Sequence, residues 1–81
     1  MNMLTLRLVH KDSNSVTYDY SPENREKPGR ITMDIKTQKV IYVKKSEYEE
    51  GNFDMYLGHA FHRVKDNVKQ DTYPIEQLVG W

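Results

Sequence analysis

Four short stretches of alternating apolar and polar residues precede a single helical repeat that runs from Phe53 to Val68. Leu4, Leu6 and Leu8 alternate with Thr5, Arg7 and Val9, the period of a half-buried strand. Val16, Tyr18 and Tyr20 alternate with Thr17 and Asp19 in the same way. Asp12-Ser13-Asn14 carries turn chemistry, and a left-handed Asn14 at a bulge would set Lys11 opposite Ser15. That register places Leu8 beside Tyr18 and Leu6 beside Tyr20 on one face, with Arg7 beside Asp19 on the other. Apolar partners then coincide and opposite charges meet.

The next pair reads similarly. Ile31, Met33 and Ile35 alternate with Arg30, Thr32 and Asp34, and Lys36-Thr37-Gln38 forms the turn. With Gln38 at the left-handed bulge position, Met33 faces Ile41, Ile31 faces Val43, and Val40, Tyr42 and Lys44 point outward. A slip of one residue would bury Val40 and Tyr42 instead, and the apolar run Val40–Val43 leaves that register open. The connector from Ser21 to Gly29 is polar, framed by Pro22 and Pro28, and is expected to be the most mobile internal stretch.

Beyond an acidic segment from Ser46 to Gly51, Asn52 suits an N-cap. Phe53, Leu57, Ala60, Phe61, Val64 and Val68 form one apolar stripe at helical spacing. Asp54 in the first turn and Lys69 in the last suit the helix dipole. Gly58 costs roughly 1 kcal/mol against alanine in a helix interior, with no packing reason visible in the sequence. Pro74 and Gly80 bracket one short helical turn, with Ile75, Leu78 and Trp81 closing an edge of the core. A fifth strand from Gln77 to Trp81 is the competing reading. The pattern therefore predicts an α+β single domain over residues 1–81: a four-stranded antiparallel sheet of two hairpins with one C-terminal amphipathic helix. The helix should pack on the face made by Leu6, Leu8, Tyr18, Tyr20, Ile31, Met33, Ile41 and Val43.

Composition narrows the chemistry. A chain of 81 residues holds one core, burying about 60% of its unfolded surface. Cysteine is absent, which excludes disulfides, thiolate nucleophiles and cysteine-ligated zinc and fits a reducing cytoplasm. The opening segment alternates rather than running apolar as a signal peptide does, and no stretch approaches a membrane span. The expected setting is cytoplasmic, with no membrane partner.

No serine stands in a G-x-S-x-G arrangement, and the four glycines are scattered rather than gathered into a phosphate loop. His59 and His62 lie on neighbouring helical positions with Asp66 one turn on, but a third ligand and a dry pocket are wanting. They read as solvated surface histidines, and Glu49-Glu50 as solvated loop carboxylates. The sequence thus predicts no enzyme, with no catalytic residue, cofactor or metal.

The chain is neutral overall. Between Arg25 and Lys45, however, seven basic residues face only Glu26 and Asp34, and Glu47, Glu49, Glu50 and Asp54 follow as an acidic block. The outward sheet face carries Thr5, Val9, Thr17, Thr32, Val40 and Tyr42 among charges. Arg7, Arg30, Tyr42, Lys44 and Lys45 are its candidate interaction surface. The first reading is a non-enzymatic protein-interaction or regulatory module, meeting a protein partner or a second copy through the sheet face or edge. The alternative is binding of single-stranded DNA or RNA by the basic second hairpin, with Tyr42 as a stacking platform.

Val16-Thr17-Tyr18-Asp19-Tyr20, Lys27-Pro28-Gly29-Arg30 and Gly58-His59-Ala60 together resemble a group of short uncharacterised proteins of Gram-positive bacteria. The resemblance implies a bacterial cytoplasmic origin and carries no activity or site residues. Four antiparallel strands and a C-terminal helix are also similar to the single-stranded-DNA-binding fold of the positive-coactivator type, whose basic sheet motif is not evident here.

Overall fold

The computed structural model describes residues 2–49 and 55–81, and in it the alternating segments become strands. These are β1 (Met3–Lys11), β2 (Ser15–Pro22), β3 (Gly29–Asp34) and β4 (Val40–Lys44). A 3-10 turn over Glu47–Glu49 leads towards the helix α1 (Met55–Gln70), and a fifth strand, β5 (Glu76–Gly80), follows it. All neighbours are antiparallel, in the order β4-β3-β2-β1-β5. The α+β class and single antiparallel sheet are as expected. The sheet has five strands rather than four, and the helix is internal rather than C-terminal.

The reason for β5 lies in β1. Leu4 and Leu6 are fully buried, so a bare second edge on β1 would leave backbone N–H and C=O groups unpaired beside the core. β5 pairs with it from Met3 opposite Gly80 to Arg7 opposite Glu76. Gly80 is the end of a strand and not the stop signal of a helix. The helix stops at Asp71 instead, whose φ of 52° is left-handed. The Thr72 N–H donates to Asn67 O (3.0 Å) and the Asp71 N–H to Val68 O (3.2 Å), a Schellman closure without glycine.

Both hairpins keep their central register and change it near the turn. Leu6 faces Tyr20, Arg7 faces Asp19 and Leu8 faces Tyr18, as expected, but Lys11 pairs with Val16 rather than Ser15. Asn14 is not left-handed. The Asp12 carboxylate accepts the Asn14 and Ser15 N–H groups, each at 2.8 Å, and that tight turn moves the extra residue back to Val9. These bonds also hold the Asp12 carboxyl below its ordinary pKa.

In the second hairpin Ile31 faces Val43 and Gln38 is left-handed (φ 59°), both as expected. Met33 faces Val40 instead of Ile41, because Ile41 is the bulged residue and stands 61% exposed. Ile41 therefore leaves the core. Val40, expected outside, turns to the helix side. The connector after β2 is tethered at its start: Glu23 and Met3 exchange two 3.0 Å bonds, and Thr5 Oγ1 donates to Asn24 Oδ1 at 2.8 Å.

The core lies between the sheet and α1. Leu4, Leu6, Val16, Tyr18, Tyr20, Ile31 and Met33 meet Tyr56, Ala60, Val64 and Val68, and Val79 closes the β5 side. Leu57 and Phe61 are only half-buried, since the buried stripe is turned toward Tyr56 and Asn67. Asn67 reaches Gln77 through an amide–amide bond of 2.9 Å. The expected roles of Asn52, Phe53 and Asp54 lie outside the described residues.

Candidate functional site

Three surfaces stand out once the helix has covered one face of the sheet. The first is the open face. Cross-strand pairing aligns Lys44, Arg30, Asp19, Arg7 and Glu76 in one row across all five strands. Arg30 grips Asp19 with two bonds, Nε to Oδ1 at 2.7 Å and a terminal nitrogen to Oδ2 at 3.2 Å. The Asp19 carboxylate raises the Arg30 pKa further above its ordinary value. Arg7 Nε lies 3.1 Å from Glu76 Oε2, and Lys27 Nζ lies 3.4 Å from Glu47 Oε2. In the next row Thr17 and Thr32 share a 2.8 Å hydroxyl bond beside Tyr42.

Four of the five candidate residues come together here. Arg30, Tyr42, Lys44 and Lys45, with Lys27 and Glu47, line an open concavity of about 600 Å³. Arg7 lies on the other side of Asp19, in a neighbouring depression with Glu76 and Leu78. Part of the basic surface is thus paired within the fold. Arg30, Lys27 and Arg7 each hold a carboxylate, and Arg25 stacks 4.1 Å over the Tyr48 ring.

The second surface is the β4 edge. All five residues of β4 are exposed, and among the described residues its backbone makes no hydrogen bond beyond the β3 ladder. Val40, Ile41, Tyr42 and Val43 are 37%, 61%, 50% and 41% exposed. On the helix side an apolar cleft of about 270 Å³ runs along this edge, lined by Ile31, Val40, Val43, Leu57, Gly58 and Phe61. Gly58 forms part of its wall, with none of the described residues within 4 Å of where a Cβ would stand.

The third is internal. Glu49, expected to be solvated, is 2% exposed. Its carboxylate accepts the Tyr20 hydroxyl (2.8 Å), the Ser46 hydroxyl (3.3 Å) and the N–H groups of Tyr56 (2.8 Å) and Leu57 (3.1 Å). The Tyr20 oxygen accepts the Ser46 N–H at 2.9 Å. Every polar atom here is occupied by the fold, so the cluster is a clasp between β2 and α1 and presents nothing to a substrate. Nothing in the sequence separates Glu49 from Glu50 beside it, so the cluster had no signal there.

His59 is also repositioned: its ring stacks on Trp81 at 3.8 Å and 15° rather than facing water, while His62 is exposed beside Phe61. Among the described residues no three His, Cys, Asp or Glu side chains gather as a metal site, and no helix is long and apolar enough to cross a membrane.

Two buried hydroxyls set a pH limit on the fold. Burial, reinforced by the Glu49 carboxylate, pushes Tyr20 up to about 12. Burial and the hydrogen-bonded Glu23 carboxylate, 2.8 Å from the hydroxyl, do the same to Tyr56, also to about 12. Both groups hold their protons more tightly folded than unfolded, so their contribution is intact below about pH 10 and is lost as pH rises through 12. Stability measured by denaturant titration should fall progressively across that interval, in step with tyrosinate absorbance. A flat profile there would contradict the two buried bonds.

Comparison with family models, curated proteins and solved structures gives no match for this chain.

Proposed function

We propose that the protein is a non-enzymatic interaction module of the bacterial cytoplasm that takes up an extended segment of a partner on its β4 edge. One observation carries this reading. Four consecutive apolar residues, Val40 to Val43, stand exposed on an edge strand whose outer side pairs with no other described strand and runs beside an apolar cleft. Such an edge is the usual template for strand addition, in which main-chain bonds supply affinity and side pockets supply selectivity. The cytoplasmic setting draws on the resemblance and on the lack of cysteine.

Nucleic-acid binding has less support than the charge count suggested. Arg7, Lys27 and Arg30 are already committed to carboxylates, and displacing those partners subtracts from any gain at a phosphate.

The two readings separate in a single set of spectra. Short linear peptides selected from a random library on the immobilised protein should shift the backbone amides of Val40–Lys44. A single-stranded oligonucleotide at low salt should leave the open face unmoved. Selected peptides that shift only the open face, or an oligonucleotide that shifts Arg30 and Tyr42 with steep salt dependence, would overturn the edge reading.

A further inference from the structure

Gly58 is the residue that the fold itself leaves unexplained. It lies inside a 16-residue helix, where glycine costs roughly 1 kcal/mol against alanine. Among the described residues no neighbour excludes a side chain there, for an added Cβ would meet none of them within 4 Å. What the glycine does is deepen the cleft between Phe61, Leu57 and the β4 valines. The cleft has room for one large apolar side chain delivered from outside, at the level of Val40 and Val43.

Charge marks the two ends of the same edge. Lys39 precedes β4 and Lys44 ends it, and neither forms an ion pair among the described residues. They flank the four apolar residues Val40 to Val43. These lysines also bear on self-pairing. The antiparallel register that would match all four apolar residues of two β4 strands, Val40 with Val43 and Ile41 with Tyr42, sets Lys39 of each copy against Lys44 of the other. Like charges directly opposite are destabilising, and edge lysines are a common guard against self-association. What repels a second copy favours an acidic strand.

Resting on the edge-strand reading above, we infer that the occupant is an extended acidic peptide segment of another protein. It places one large apolar side chain over Gly58 and carboxylates at both ends, opposite Lys39 and Lys44. Main-chain bonds to β4 hold it, the cleft selects its central residue, and the two lysines select its flanks.

The test uses two synthetic peptides and two variants. One peptide carries a central leucine between threonines with two glutamates on either side, and the other replaces every glutamate by lysine. On titration into the intact protein, the acidic peptide should shift the amides of Val40–Lys44 and Gly58. The lysine peptide should bind at least about tenfold more weakly, a difference that narrows with added salt.

A double Lys39→Glu, Lys44→Glu chain should reverse the preference. Gly58→Met should raise the melting temperature, because the helix gains a better former, while weakening the acidic peptide by about tenfold or more as the cleft is filled from within. Equal binding of the two peptides at β4 would overturn the acidic partner and leave the edge reading standing. Unchanged affinity in Gly58→Met would overturn the cleft as the selecting pocket. No shift at β4 with either peptide would overturn both readings. A free chain whose mass doubles with concentration, with Val40–Val43 protected, would assign the edge to a second copy and overturn the inference.

Discussion

A Gly29→Ala chain should lose most of its stability, about 3–5 kcal/mol, and be substantially unfolded at room temperature. Gly29 pairs with Tyr20 across β2 and β3, and a Cβ there would fall on the Tyr20 ring and 2.7 Å from the backbone oxygen of Lys44. A ring that could swing aside would soften the collision. Tyr20 cannot, because its buried hydroxyl is fixed by the Ser46 N–H and the Glu49 carboxylate at 2.9 and 2.8 Å. Relief must come either from parting β3 and β4 or from breaking that clasp. Urea denaturation followed by near-UV circular dichroism would measure the loss. Gly80→Ala is the control: its Cβ would come no nearer than 3.8 Å to Asn2 O, so a change within about 0.5 kcal/mol is expected. Equal effects at the two glycines would mean that backbone freedom, not space, decides the first.

Glu49→Ala should cost about 3–4 kcal/mol, since it strips acceptors from four donors at once. Two of those are N–H groups of the first described turn of α1 and two are hydroxyl groups at the end of the β2–α1 clasp. Glu49→Gln is the sharper variant. It keeps one oxygen for the helix N–H groups and turns an amide NH2, a donor, toward the Tyr20 hydroxyl, which has been donating to Glu49 while accepting from Ser46. A smaller loss, about 1–2 kcal/mol, is expected for it. Hydrogen exchange should show the amides of Tyr56 and Leu57 opening first in both chains. Uniform exchange along α1 would mean that Glu49 stabilises the fold without anchoring the helix start.

The centre of the first hairpin was legible from sequence because apolar and charged pairings there agree on a single register, Leu6 with Tyr20 and Arg7 with Asp19. Ile31 with Val43 rested on Gln38 taking the left-handed turn position, with no charge pair to support it, since Arg30 stands opposite Lys44. The hairpin ends were not legible, because Asp12 and the Val40–Val43 run each permit two placements of the extra residue, and local hydrogen bonds choose between them. β5 stood only as the competing reading over residues 77–81 for another reason: its cause is a vacant edge more than sixty residues away, which no local period reports.

The candidate surface was legible in part. Arg30, Tyr42, Lys44 and Lys45 do converge, but two of the basic residues that the charge count included, Lys27 and Arg30, hold Glu47 and Asp19. The sequence singled out Gly58 as a cost without showing a purpose. Only the neighbouring β4 valines make the gap beside it visible.

The pairing of β1 with β5 also governs when this sheet can exist. Arg7 waits for Glu76, and Asn2 exchanges two 3.0 Å bonds with Trp81. Local hairpins close within microseconds, whereas contacts so distant in sequence slow the search for the native state. During synthesis β1 and β2 can form early, but Leu4 and Leu6 stay on an open border until residues 76–80 have left the ribosome. The vulnerable species is therefore a chain that has not yet delivered β5, with the hydrophobic margin of its first strand still unsealed.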